Sequence, residues 1–365
     1  ASNVISDSSG QLLFYTQGMI VYNRLHQIMQ NGSGLHGGEI LENVVSVPLP
    51  GSRTLFYIFT NGWIKPPSSI PGFTFEYNIV DMTLDNGNGG VLPGYKNVMV
   101  PGTELSDGGI TAVVHQNNRD YWIIVPVSET PKRFYSYLLT KGGLQPPVIS
   151  ILPMLNTWLG GKVIHRIRAS HDGKRIVATT FNNDEELAYF SFNSTTGVIS
   201  SLFNFKIPGN YYPHSTEFSV SNRYLYVFAM KGGVNNHTIW RFDTSKTDST
   251  EFVKSGEKVV DENYFGKMQL GPDNKIYLSK RNIFVTGVDS LSVIQYPDLP
   301  VGLCGYQDNY VGLQGRSTIE CLPFFVQRYF AYIHHSGFCQ GASICFEPNT
   351  WPPPDSLWWD FGDPS

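Results

Sequence analysis

IRASHDGKRIVA, residues 167–178, sets out the unit from which the chain is built: an apolar strand, a tight turn at His171-Asp172-Gly173, and a second apolar strand. A third strand follows at Leu187–Phe192. The same order recurs at intervals of about 40 to 65 residues, which is typical of propeller blades with loop insertions. The other copies are Ile5–Tyr15, Val45–Phe59, Ala112–Ile124, Phe218–Val227 and Met268–Leu278.

The repeat predicts an all-β fold, a seven-bladed β-propeller. A sandwich does not repeat its hairpin six times, and a β-solenoid uses much shorter repeats. An open ring would leave two sheet edges unpaired. We therefore expect Gly315–Tyr332 to contribute to a seventh blade that strands upstream of Ala1 complete. The predicted domains are a propeller over residues 1–335 and the first strands of a second β-domain over 336–365.

Composition supports many short strands and excludes some functions. Charged residues make up 15 % of the chain and aromatic residues 14 %, with 36 glycines and 23 prolines. A net charge of −4 without a basic stripe argues against nucleic acid as a partner. The longest apolar stretches, such as Tyr121–Val127, fall short of the ~18 residues of a membrane helix. The first residues do not resemble a signal peptide, so we expect that one has been removed or that the chain begins late.

The four cysteines fall into two pairs near the C-terminal end, Cys304 with Cys321 and Cys339 with Cys345. Their spacing is not that of a zinc site. Two disulfides in an oxidising compartment are one interpretation, and buried free thiols are the other.

Several phrases resemble large surface proteins of the Bacteroidetes. They are ISDSSGQLLFYT (5–16), VYNRLHQIMQNGSG (21–34), LFYIFT (55–60), YNIVDMTL (77–84), MQLGPDNKIYL (268–278) and WDFGD (359–363). Proteins of this family carry an N-terminal propeller, immunoglobulin-like PKD domains and a C-terminal signal of the type 9 secretion system, often of the gliding-motility-associated type. The WDFGD phrase is typical of a PKD domain. In this family an apolar residue is more common at the position of Cys321, which is a reason to expect Cys304 as its partner.

The resemblance implies an extracellular or outer-membrane surface location, with the type 9 secretion translocon as a partner during export. It implies a binding or scaffold module for a cell-surface protein or polysaccharide, in adhesion or gliding-related structures. It implies no catalytic residue, no metal and no cofactor. Asp-Ser motifs at Ser249, Ser290 and Ser356 resemble the O-glycan acceptors of such proteins, and solvated turns are the alternative. Long loops that include Trp63 and Tyr95 are candidate contact surfaces.

Motifs for catalysis are weak. The sequence contains no GxSxG, HExxH or P-loop pattern. Asp85–Gly90 is interpreted as a wide turn rather than a calcium loop, His115 as a core histidine, and His334-His335 as side chains on opposite faces of a strand. The alternative function is a propeller polysaccharide hydrolase or lyase. Its carboxylates would come from residues such as Glu42, Asp81, Asp107 and Glu217.

Overall fold

The computed structural model describes residues 3–38, 43–63, 73–103, 106–129, 131–152, 163–180, 186–231, 237–263, 266–281, 288–318, 322–324, 326, 330–336, 345–351, 356 and 358–359. The chain divides into two compact units, Ala1–Val326 and Gln327–Ser365. The first unit is built from antiparallel sheets that follow one another along the chain. This confirms the all-β class.

Sheets 1 to 3 come from the first part of the chain. Sheet 1 contains β1 (Asn3–Ser6), β2 (Leu12–Thr16), β3 (Ile20–Asn23) and β4 (Ile28–Ser33). Sheet 2 contains β5 (Val44–Pro48), β6 (Leu55–Trp63), β7 (Phe73–Asp81), β8 (Gly90–Val91) and β9 (Val98–Met99). Sheet 3 contains β10 (Thr111–Val114), β11 (Tyr121–Val127), β12 (Arg133–Thr140), β13 (Gly143–Leu144) and β14 (Val148–Ile151). One parallel bridge, Gln30 to Gly90, joins the edges of sheets 1 and 2.

Sheets 4 to 6 each have four strands in chain order. Sheet 4 contains β15 (Ile164–Ala169), β16 (Arg175–Thr180), β17 (Glu186–Phe192) and β18 (Ile199–Lys206). Sheet 5 contains β19 (Tyr211–Phe218), β20 (Tyr224–Lys231), β21 (His237–Asp243) and β22 (Glu257–Glu262). Sheet 6 contains β23 (Met268–Leu270), β24 (Ile276–Leu278), β25 (Ser290–Ile294) and β26 (Tyr306–Gly312).

The hydrophobic core lies in layers between successive sheets. All seven residues of β11 are buried, because this strand has an apolar neighbour on each face. Its Ile123 packs in the layer between sheets 2 and 3, and its Ile124 packs in the layer between sheets 3 and 4. The first strands of sheets also contact one another, β10 with β15, β15 with β19 and β19 with β23. Successive sheets that pack in this way have the arrangement of propeller blades.

The end of the first unit returns to its beginning. Phe324 forms a parallel bridge with Asn3 of β1. The Phe324 ring also packs against the core between sheets 2 and 3, and the guanidinium of Arg168 lies 4.8 Å from its centre. The segment around Phe324 thus connects the first sheet with the strands at the middle of the chain.

The second unit contains β27 (Phe330–Ser336), which pairs antiparallel with β28 (Cys345–Trp351). The division after Val326 falls within Gly315–Tyr332, the segment that the sequence assigns to the closing blade.

A short helix, α1 (Ser249–Lys254), lies between β21 and β22. Asp248 caps it, since its carboxylate accepts hydrogen bonds from the backbone of Thr250 at 2.9 Å and Glu251 at 3.1 Å. Phe252 is fully buried in the layer between sheets 4 and 5. The acidic residue of this Asp-Ser motif therefore has a structural role.

Candidate functional site

Basic side chains come together where the first strands of sheets 4 and 5 meet. Strand β15 contributes Arg166 and Arg168, which lie two positions apart and therefore on the same face. Its Ile167 faces the opposite way, into the core between sheets 3 and 4. We call His165, Arg166, Arg168 and His214 the arginine–histidine centre.

Arg166 binds His214 of the next sheet. The guanidinium NH2 atom lies 3.2 Å from His214 Nε2, and His214 Nδ1 lies 3.2 Å from the carbonyl oxygen of Gly266. A carbonyl can only accept, so Nδ1 carries the proton and Nε2 accepts from Arg166. The backbone of Gly266 thus fixes the tautomer of His214 and the direction of the guanidinium.

Arg166 is a buried basic residue. Only 7 % of it is exposed, and its Nε has no hydrogen-bond partner among the described residues. Among the residues that the structure describes, no carboxylate lies within ion-pair distance of it. A buried charge is costly unless it is paired. An anion from outside the chain would supply the missing partner.

Arg168 has a different environment. Its NH1 atom lies 3.9 Å from the Glu217 carboxylate and 3.4 Å from Gln269 Oε1, and its Nε donates to the carbonyl of Thr216 at 3.3 Å. Glu217 also accepts from the backbone of Leu270 at 3.0 Å. Arg168 is therefore a compensated cation that ties sheets 4, 5 and 6 together.

Glu217 is fully buried, and its charge is held by its neighbours. Burial acts to raise its pKa, but the Arg168 cation and His171 outweigh that effect and lower the pKa below its usual value. His171 Nε2 lies 3.5 Å from the carboxylate, and the backbone of Phe218 donates to it at 2.9 Å. Glu217 is thus an ionised structural group.

His165 is neutral at physiological pH. Burial, followed by the positive charges of Arg166 and Lys132, lowers its pKa to about 4. Lys132 donates to the Asp107 carboxylate at 2.9 Å, and this carboxylate also accepts from the backbone of Ile164 at 2.9 Å. Lys132 is thus fixed by contacts between sheets 3 and 4, whereas Arg166 is held by His214 of sheet 5.

The structure does not show an acid–base pair among the predicted carboxylates. Asp107 forms an ion pair with Lys132, and Glu217 forms one with Arg168. Asp81 lies apart, in a turn where it accepts from the backbone of Thr83 at 2.9 Å. Glu42 lies outside the described residues.

His115 and the predicted calcium loop both lie at turns. His115 is half-buried and is not the core histidine that the sequence predicts, and its Nδ1 accepts from the backbone of Asn117 at 3.0 Å. Asp85–Gly87 forms a 3-10 turn with left-handed residues, as in the turn interpretation. His334 and His335 are successive residues of β27. In the described part of the chain no group of three His, Cys, Asp or Glu residues could hold a metal ion.

The predicted modification sites fall in different environments. Ser249 begins α1 and is partly exposed, and Ser356 is exposed. The prediction that Ser290 lies in an exposed turn is wrong. Ser290 is 7 % exposed on β25, and its hydroxyl donates to Asn309 at 2.6 Å. Alternation along β25 turns this hydroxyl inward.

The predicted contact residues and cysteines are only partly described. Tyr95 is 48 % exposed in a 3-10 turn, and Trp63 ends β6. Cys304 is a buried free thiol whose Sγ donates to the carbonyl of Val301 at 3.1 Å. The other three cysteines lie at positions whose side chains are outside the described residues: Cys321, Cys339 and Cys345. The structure therefore does not form the predicted Cys304–Cys321 disulfide, and Cys304 fits the alternative of a buried free thiol. The Cys339–Cys345 disulfide stays a prediction.

The residues of the centre come from two distant parts of the sequence. Arg166 and His214 are 48 residues apart and lie on different sheets. The available signal was HRIR (165–168), three basic residues in a strand that otherwise reads as apolar. Charge in a strand that both flanking sheets bury requires a partner.

No protein-family model matches the chain, and no curated protein is similar to it. Solved structures resemble it in fold. A putative 6-phosphogluconolactonase of Bacteroides uniformis is 14 % identical over 80 % of this chain and 76 % of that chain, with a TM-score of 0.43. The periplasmic gluconolactonase of Pseudomonas aeruginosa is 11 % identical over 80 % of each chain, with a TM-score of 0.47. A protein of unknown function from Desulfotomaculum acetoxidans is 11 % identical over 84 % and 78 %, with a TM-score of 0.47.

No helix in the described part of the chain has the length and apolar character needed to cross a membrane.

Proposed function

We propose that this chain binds a small anionic ligand, a carboxylate- or phosphate-bearing sugar derivative, at the arginine–histidine centre. The observation that carries the proposal is Arg166, a buried guanidinium with a free Nε and no carboxylate partner among the described residues. A guanidinium presents parallel N–H groups that match carboxylate and phosphate oxygens. This function belongs to the binding-module class that the sequence predicts.

The surroundings of Arg166 suit an anion. His214 holds the guanidinium through one nitrogen, which leaves Nε for a ligand. His165 is neutral and adds no charge. The buried carboxylates of Glu217 and Asp107 are already paired with Arg168 and Lys132. Preorganised donors of this kind bind without reorganisation.

A second candidate is an enzyme, a hydrolase or lyase that acts on a sugar polymer or sugar acid. His165 favours it, because an imidazole that stays neutral down to about pH 4 beside cations can accept a proton. Two of the similar structures bear the names of lactonases, one of them for a phosphorylated sugar lactone, and their likeness to this chain is one of fold.

For the architecture, we propose seven blades, the last of them completed by strands upstream of Ala1. The bridge between Asn3 and Phe324 supports closure through the two ends of the unit. We also propose that residues 336–365 begin a PKD-like domain. A structure of a longer chain tests both, and six blades closed within residues 1–335 would contradict the first.

Export to the cell surface by the type 9 secretion system is a separate proposal, supported by the resemblance of the sequence phrases. Cell fractionation in a strain with and without a working type 9 translocon tests it. Unchanged surface exposure without the translocon would contradict it.

The binding proposal is tested by thermal unfolding with a panel of ligands. Sugar phosphates should raise the Tm of the wild-type chain, whereas the matching neutral sugars should not. Arg166→Gln should abolish the increase. An equal response to charged and neutral sugars, or to wild type and variant, would contradict the proposal.

A further inference from the structure

A cleft opens in sheet 5 and shares no residue with the arginine–histidine centre. Its volume is about 320 Å³, at the lower end of the range of small-molecule pockets, about 300–1,000 Å³. Buried residues from β19, β21 and the end of β22 form its floor: Tyr211, His237, Thr238 and Glu262. Lys231, Lys258 and Asp261 stand at its more exposed rim.

Some polar groups of the cleft bond to one another, and one cation has no ion-pair partner among the described residues. Thr238 Oγ1 donates to the Asp261 carboxylate at 2.7 Å, and Asp261 also pairs with Lys258. Lys231 is exposed, and its ammonium lies 5.5 Å from the ring centre of Tyr211. Among the described residues Lys231 has no carboxylate within ion-pair distance. One cation of the rim is therefore available to a ligand.

Glu262 is the second observation that points to a ligand. It is 9 % exposed and lines the cleft, and none of the described cations forms an ion pair with its carboxylate. The other titratable groups around it are Asp308 and Lys280 of sheet 6, His237 of β21, and the cleft residues already named. Burial and then the Asp308 charge raise the pKa of Glu262 to about 7, with Lys280 acting in the opposite direction.

We propose that this cleft is a saccharide site that takes a uronic-acid residue, whose carboxylate pairs with Lys231 and whose hydroxyls bond to Thr238, Asp261 and Glu262. With Glu262 protonated, the charges of Lys231, Lys258 and Asp261 sum to one net positive charge. Burial also lowers the pKa of His237, so this imidazole adds none near neutral pH. Ionisation of Glu262 would cancel the positive charge, so binding weakens as the pH rises through about 7.

Isothermal titration with sodium glucuronate, with methyl glucoside as the neutral match, tests this site. The wild-type chain should bind glucuronate at about pH 6 and about fivefold more weakly at about pH 8, since a like charge enters the cleft. Lys231→Ala should weaken binding about tenfold, the effect of losing one charge-assisted contact. Because Lys231 is exposed, this variant should fold as the wild type does.

Two further variants locate the ligand. Glu262→Gln should bind as the wild type does at the lower pH and lose the pH dependence. Arg166→Gln should bind glucuronate normally. Absence of glucuronate binding, or equal binding by wild type and Lys231→Ala, would overturn the inference. Loss of binding in Arg166→Gln alone would place the uronate at the arginine–histidine centre, which overturns this inference and supports the proposed function.

Discussion

Arg166 and His214 meet across 3.2 Å, from the first strand of sheet 4 to the first strand of sheet 5. Both residues are more than nine-tenths buried. The imidazole accepts one N–H of the guanidinium and carries no negative charge, so the contact orients Arg166 without neutralising it. Within the described part of the chain, Arg166 is thus an unpaired cation where the first strands of sheets 4 and 5 meet.

Replacing Arg166 should cost less stability than replacing its neighbour Arg168. Arg166→Met removes an uncompensated buried charge, so the free energy of unfolding should stay the same or rise by up to about 2 kcal/mol. Arg168→Met leaves Glu217 buried without its cation and should lower the free energy of unfolding by about 3 kcal/mol. Urea unfolding at neutral pH measures both. A larger loss for Arg166→Met than for Arg168→Met would contradict the assignment of Arg166 as the unpaired cation.

Glu217 should make stability depend on acid pH. Its pKa is lower in the folded chain than in the unfolded chain, so its contribution is present above the unfolded value of about 4.5 and is lost as the pH falls further. Glu217→Gln should cost about 3 kcal/mol at pH 7, because the backbone donors of Phe218 and Leu270 lose a carboxylate acceptor. Glu251→Gln on exposed α1 is the control and should change stability by less than about 0.5 kcal/mol. Equal effects of the two substitutions in urea unfolding would count against the buried role of Glu217.

His165 should make stability depend on pH over a higher range than Glu217 does. Its pKa of about 4 lies below the unfolded value of 6.5, so the unfolded chain binds a proton first as the pH falls between these values. The contribution of His165 to stability should therefore decrease from pH 6.5 to about 4, by about 2 kcal/mol after allowance for partial exposure. His237 adds a contribution of the same sign. Glu262, whose pKa is raised, contributes with the opposite sign over part of this range. His165→Gln should reduce the slope in this range, and an unchanged slope in chemical unfolding would contradict the shifted pKa.

Cys304 should be unreactive in the folded chain. Burial raises the pKa of its thiol, and 1 % of the residue is exposed. A thiol reagent should therefore label Cys304 only after denaturation. Peptide mapping identifies the labelled residue. If Cys304 stays unlabelled in denaturant without reductant, it is in a disulfide, as the sequence predicts with Cys321 and contrary to the free thiol of the structure.

The repeated hairpin was predictable because each copy is local. The turn at His171-Asp172-Gly173 connects β15 to β16 as expected, and Gly173 has the positive φ of 65° that such a turn requires. The burial of Ser290 was not predictable in the same way, because a short motif does not indicate which face of a strand its residues occupy. The arginine–histidine centre depends on which sheets become neighbours. Only the three-dimensional packing shows that Arg166 meets a histidine and Arg168 a carboxylate.

The proposed function requires that Arg166 holds an anion, and calorimetric titration with a sugar phosphate measures this binding. The wild-type chain and Arg166→Gln are titrated in parallel with the phosphorylated sugar and with the same sugar lacking phosphate. We predict saturable binding of the phosphorylated sugar to the wild-type chain, at least tenfold weaker binding to Arg166→Gln, and no binding of the neutral sugar to either, because a lost charge-assisted pair costs about 1.5–3 kcal/mol. Equal affinity of both chains for the phosphorylated sugar, or no binding by the wild-type chain across anionic sugars, would contradict the claim.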